Sequence, residues 1–222
     1  MVLDAYTDLA AGVNQGLKSL SPDVPPLIQI GIGYPGGHIG TYPNITSVWA
    51  SIHRTRDYLY PYNSKEKESG GAPQFLDFFK KELIPYVNKN FKTKSDKGPI
   101  LWGHSYGGYF AFFAASNYAT DANVPFKSFI ASSPIIGWDN NYIEPKMIDL
   151  RNTSLTHDVR LYFTIGSLEG NAAALNYYTQ MDSTMNNPQN AHLKTGFLIN
   201  DGLDHNTNST QTVLDGLNFI FQ

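Results

Sequence analysis

Two periodicities share the chain. Short apolar runs bounded by Gly, Pro, Asn or Ser read as strands at "LIQIGIGYP" (27–35), 98–103, "FKSFIASSP" (126–134), "DVRLYFTIGSLEG" (158–170) and "AHLKTGFLIN" (191–200). The opening "MVLDA" reads as the tail of another. Helical spacing lies between them. Leu9, Val13, Leu17 and Leu20 mark a helix over 7–20, and "SPDVPP" stops it. Residues 72–91 form an amphipathic helix with a kink or break expected near Pro85. Further helices are predicted over 105–119, 171–187 and 206–222. Residues 36–70, rich in Gly, Pro, Asn and Tyr, read as a long loop with at most a short strand, and 135–154 as a loop with a short helix. Strands alternating with helices imply an α/β fold, with a parallel sheet covered by helices on both faces. No repeat or linker divides the chain, so one domain over 1–222 is expected.

Composition narrows the function. With 222 residues, 41% hydrophobic and 16% charged, the chain is long enough to bury a sizeable core. A net charge of −3 gives no electrostatic case for nucleic acid or an anionic membrane. No apolar run approaches the roughly 18 residues of a membrane span. The first residues show no signal peptide. The absence of cysteine rules out disulfides, zinc–thiolate sites and a cysteine nucleophile. The six histidines are scattered, with no H-E-x-x-H, so no metal is expected, and no nucleotide loop or other cofactor motif is present. The 14 tyrosines suit either a groove for a ring-containing or sugar-like ligand or ordinary packing.

The chemistry centres on "GHSYGG" (103–108). It follows an apolar strand and opens a small-residue helix, the context of a nucleophile elbow. Glycines at 103 and 107 let strand and helix approach while Ser105 is lifted into a cleft. The Tyr106 amide then lies at a helix N-terminus, where it can bind a developing oxyanion. In a parallel sheet the site lies beyond the carboxyl ends of the strands. Later strand ends supply Glu169, then Asp201, Asp204 and His205. Serine, acid and histidine in that order match a triad in which histidine activates the serine and a carboxylate orients the histidine. Glu169 is the best placed acid, with Asp201 and Asp204 as alternatives. His104 adjoins the serine, so its side chain points elsewhere and it reads as a packing or hydrogen-bonding residue.

"IGIGYP", "RTRDYLYP", "GGAPQFLDFFKKELIPYV", "GHSYGGYFAFFA", "ASSP", "GWDN", "GSLEG" and "DGLDHN" follow one another in an order that resembles the putative esterase family of α/β-hydrolases. The likeness is to its siderophore-esterase branch, related to esterase D, feruloyl esterases and mycolyltransferases. It implies an α/β-hydrolase fold and a serine carboxylic ester hydrolase working through an acyl-enzyme, with Ser105, Glu169 and His205 in the triad. Some siderophore esterases use a Ser–His dyad, so the resemblance alone leaves the acid open. "VLDAY" matches the segment that carries the second oxyanion donor, which would be the Tyr6 amide, with Ala5 where glycine is usual. In the family two strands precede that segment, so the fold is expected to lack the first two N-terminal strands, and localisation is left open. Small-molecule esters are the expected partners: a siderophore trilactone, a hydroxycinnamoyl sugar or an acetylated sugar. An acyltransferase with the same triad and an inactive binding module are the alternatives. Arg54 and Arg56 are candidate substrate contacts, with an internal pair to Asp57 as the other reading. Trp138 is a candidate pocket wall or core residue.

Overall fold

The computed structural model describes residues 1, 3, 24–34, 47–93, 97–186 and 190–222. The helix expected over 7–20 lies outside them.

Among the described residues, four parallel strands form the sheet in the order β1 (Ile100–His104), β2 (Ser128–Ser132), β3 (Val159–Gly166), β4 (Leu193–Asn200). Register pairs Gly103 with Ala131, Ala131 with Phe163, and Phe163 with Phe197. The start of the chain runs along the free edge of β1: the Trp102 amide donates to the Met1 carbonyl at 2.9 Å, and the Leu3 amide donates to the Trp102 carbonyl at 3.1 Å.

Side chains alternate across the strands, and the two faces carry separate cores. Leu101, Phe129, Leu161 and Phe163 face the larger one, which also takes in α4 (Tyr106–Ser116) and α5 (Ile143–Asn152). Trp102, Ile130 and Tyr162 point the other way, onto Val213, Leu217 and Ile220 of α7 (Asn208–Phe221). Helix α6 (Ala172–Met185) packs on β4 and α5. Ten of the eleven residues of α4 are buried, so its apolar character on every side is that of a helix enclosed by sheet and neighbouring helices.

Three sequence expectations change. Residues 25–34 form no strand beyond a bridge at Gly31, and Leu27 and Ile28 are 38% and 51% exposed. Pro25 and Pro26 offer no amide at the start of this segment. The loop expected over 36–70 contains a helix, α1 (Ser47–Tyr58), whose apolar contacts come from α4 and α2 (Ala72–Phe78) rather than from a strong local pattern. The expected kink near Pro85 is instead a π-helical turn, Phe79–Leu83, joining α2 to α3 (Ile84–Asn90). The proline has no amide to give, and the wider turn before it absorbs the mismatch without breaking the helix.

Candidate active site

Ser105 sits between β1 and α4 with φ 59° and ψ −115°. This is strained for a residue with a Cβ. Two backbone hydrogen bonds hold it: its amide donates to the Ser132 carbonyl at 2.9 Å, and its carbonyl accepts from the Tyr109 amide at 3.0 Å. The local sequence makes the turn feasible, because a Cβ on Gly103 would overlap the backbone of Gly107. Strand and helix therefore cross backbone to backbone, as glycine alone permits.

His205 lies on the loop between β4 and α7. Its Nδ1 is 2.6 Å from Glu169 Oε2. The Glu169 side chain is only 5% exposed, and its other oxygen, Oε1, accepts from the Ser133 hydroxyl and the Gly166 amide, each at 2.6 Å. Burial works to raise the Glu169 pKa, but the hydrogen bonds from His205, Ser133 and Gly166 outweigh it and hold the carboxyl below its ordinary value. The group is thus an anion at neutral pH. Gly166 contributes a second time by having no side chain. A Cβ there would run into the Leu203 carbonyl, so the glycine lets the His205 loop close over the end of β3.

The two aspartates weighed as alternatives are occupied elsewhere. Asp204 Oδ1 accepts from the amides of Asn206 and Thr207 and from the Thr207 hydroxyl, capping the turn into α7. Asp201 accepts from the Ser167 hydroxyl at 3.2 Å.

His104 is a hydrogen-bonding residue, and it also packs on His205, with ring centroids 4.4 Å apart. It is 9% exposed, and its Nδ1 is 3.3 Å from the Ser132 hydroxyl. Burial, with lesser help from the neighbouring His205 and Arg54, pushes its pKa down to about 3. It is a neutral wall behind His205. Ser105 and His205 share this end of the sheet without a hydrogen bond between them among the described residues. Such bonds commonly tighten only around substrate.

Sequence reasoning missed the support beneath the acid. Asn208, fully buried, donates to Ser133 Oγ and Thr164 Oγ1, each at 2.9 Å, and accepts from Asn200 Nδ2 at 2.6 Å. Thr212 donates to Ser132 Oγ at 3.1 Å, and Ser132 in turn meets His104. Glu169 and His104, on two sides of His205, are thus tied to one buried polar network, of the kind that fixes side-chain positions when fully satisfied. The only signal for it in the sequence is a set of small polar residues at strand ends and at the start of α7.

Of the other candidates, Arg54 lies beside the elbow. Its guanidinium is 5.3 Å from the Tyr106 ring centroid, and Nη2 reaches the His104 carbonyl at 3.4 Å. Arg56 forms the bidentate pair with Asp57, at 2.7 and 2.8 Å. Trp138 packs against the main core, and its Nε1 lies 3.4 Å from the Pro61 carbonyl. Tyr6 lies outside the described residues. Among the described residues no group of three His, Cys, Asp or Glu side chains could hold a metal ion, and no helix is long and apolar enough to cross a membrane.

The chain is 31% identical over 138 residues to a siderophore enterobactin esterase of Emericella nidulans, covering 57% of this chain and 41% of that protein. It is 33% identical over 99 residues to a siderophore triacetylfusarinine C esterase of Aspergillus fumigatus, covering 45% and 32% respectively. The match thus spans less than half the length of each. The crystal structure of the BES protein from Bacillus cereus superposes with a TM-score of 0.75 at 27% identity, covering 99% of this chain and 80% of that one. The family described as "Putative esterase" matches residues 45–210, and the chain belongs to that family.

Proposed function

We propose that the chain is a serine carboxylic ester hydrolase. The observation that carries this reading is Ser105 in a strained strand-to-helix turn, at the sheet end where Glu169 holds the Nδ1 side of His205. In this mechanism Ser105 Oγ attacks the ester carbonyl carbon while His205 Nε2 takes its proton. Glu169 accepts the Nδ1 hydrogen, selects the tautomer that leaves Nε2 free, and stabilises the imidazolium as it forms. The tetrahedral oxyanion is held by the Tyr106 amide, with the Tyr6 amide as second donor. The C–O bond to the alcohol then breaks, and the alkoxide takes the proton from His205. Water, deprotonated by the same histidine, attacks the acyl-enzyme; the bond to Ser105 Oγ then breaks, Oγ takes the proton back from His205, and the acid is released. The reaction needs no cofactor.

The names of the matched relatives make siderophore esters the first substrates to assay. Arg54, beside the elbow, is the candidate among the described residues for meeting substrate oxygen atoms. A fluorophosphonate probe tests the mechanism. Labelling at Ser105, together with loss of ester hydrolysis in folded Ser105→Ala, is expected. Undiminished hydrolysis by Ser105→Ala would sink the reading.

A further inference from the structure

Beside His205 and Glu169 lies a cavity of about 270 Å³ between α6, the end of β3 and the segment after β2. Its walls are Ile135, Ile136, Ile165, Leu175, Tyr177 and Tyr178, and Ala174 also lines it. Among the described residues no lysine or arginine lines it. The polar side-chain atoms in these walls are already engaged. The Tyr178 hydroxyl donates to the Pro134 carbonyl at 2.6 Å, and the Tyr177 hydroxyl to Glu144 at 3.4 Å. Ser133 donates to Glu169, and both Glu169 oxygens are taken. What remains open to a ligand is mainly hydrocarbon and ring surface, with a polar minority that includes the reactive edge of His205. The charges close by are carboxylates: Glu169 in the wall and Glu144 behind Tyr177.

We infer that this cavity binds an uncharged, hydrocarbon-rich arm of the substrate and rejects anionic groups. The inference rests on the esterase reading for the word substrate, but the binding preference is testable without turnover. A negatively charged group placed here would give up part of its hydration, meet no lysine or arginine among the described lining residues, and face Glu169. A polyanionic chelate is therefore disfavoured in this cavity relative to a neutral acyl or alkyl arm. At about 30 Å³ for each water-sized volume, the space takes roughly nine heavy atoms.

The test is binding of 2-alkanones, uncharged and non-hydrolysable carbonyl compounds, by isothermal titration to the full chain. Affinity is expected to rise about threefold to fourfold per added methylene, up to roughly nine heavy atoms. Keto acids of the same length with a terminal carboxylate should not show the rise. Ala174→Trp, at an exposed helical position on the cavity wall, should flatten the series. Ala174→Lys should improve the keto acids relative to the ketones. A flat series with the unmodified chain, or keto acids binding as well as ketones, would overturn the assignment. Hydrolysis of p-nitrophenyl acetate and its loss in Ser105→Ala report separately on the esterase reading, so the two can fail independently.

Discussion

His104→Asn is expected to make the protein more tolerant of acid. In the unfolded chain a histidine takes up a proton at about pH 6.5. In the folded protein burial keeps His104 neutral down to about pH 3. Between those values the unfolded state binds the extra proton, so folding stability falls as pH drops through 6.5 and goes on falling until the folded group titrates. At pH 4.5, two units below the unfolded value, the loss from this residue is about 2.7 kcal/mol. The figure is set mainly by the unfolded histidine, because pH 4.5 lies well above the folded value. Asparagine keeps a polar group near the Ser132 hydroxyl, which now faces His104 Nδ1 at 3.3 Å, and has no proton to take up. The assay is urea unfolding of both proteins at pH 7.5, 6.5, 5.5 and 4.5. Lost packing lowers the variant at every pH and cancels in the comparison. Glu169, whose folded pKa is depressed, stabilises above its unfolded pKa and loses that contribution as pH falls through the folded value, in both proteins alike. The parent should therefore lose about 2.7 kcal/mol more than the variant between pH 7.5 and 4.5, close to 1 M in urea midpoint at a slope of about 2–3 kcal/mol per M. Curves that run parallel within about 0.5 kcal/mol, the scatter of unrelated surface changes, would refute the claim that His104 is held neutral by burial.

Two further substitutions probe the site and its scaffold. Glu169→Gln should lower kcat/KM for ester hydrolysis by about 10²–10⁴, since the amide nitrogen would face His205 Nδ1 and favour the wrong tautomer; steady-state rates within threefold of the parent would show that the acid is dispensable. Gly103→Ala should cost about 1–3 kcal/mol or more, because the added methyl overlaps the Gly107 backbone and not a flexible side chain; an unchanged melting temperature would mean that the strand–helix crossing is looser than described.

Much of the architecture was legible from local pattern. The four apolar runs of the sheet and the helices between them need only the period of side chains, and the elbow needs only glycines around a serine between a strand and a helix. Chain order brought Ser105, Glu169 and His205 into consideration together, because each follows a strand and parallel strands end on one side. Other features depend on partners far away in sequence. "LIQIGIGYP" has the composition of a buried strand, but over 27–34 it shows only a bridge at Gly31, with Leu27 and Ile28 exposed, which periodicity cannot foresee. The choice among Glu169, Asp201 and Asp204 was open at the level of sequence. In the structure Glu169 is the one of the three that is desolvated and still receives hydrogen bonds from Ser133, Gly166 and His205. The same holds for His104, which sequence places beside the serine and packing places against the histidine. Local residue preference determined the elements and the elbow; desolvation and long-range hydrogen bonding, which exist only once the chain has closed on itself, decided what surrounds His205.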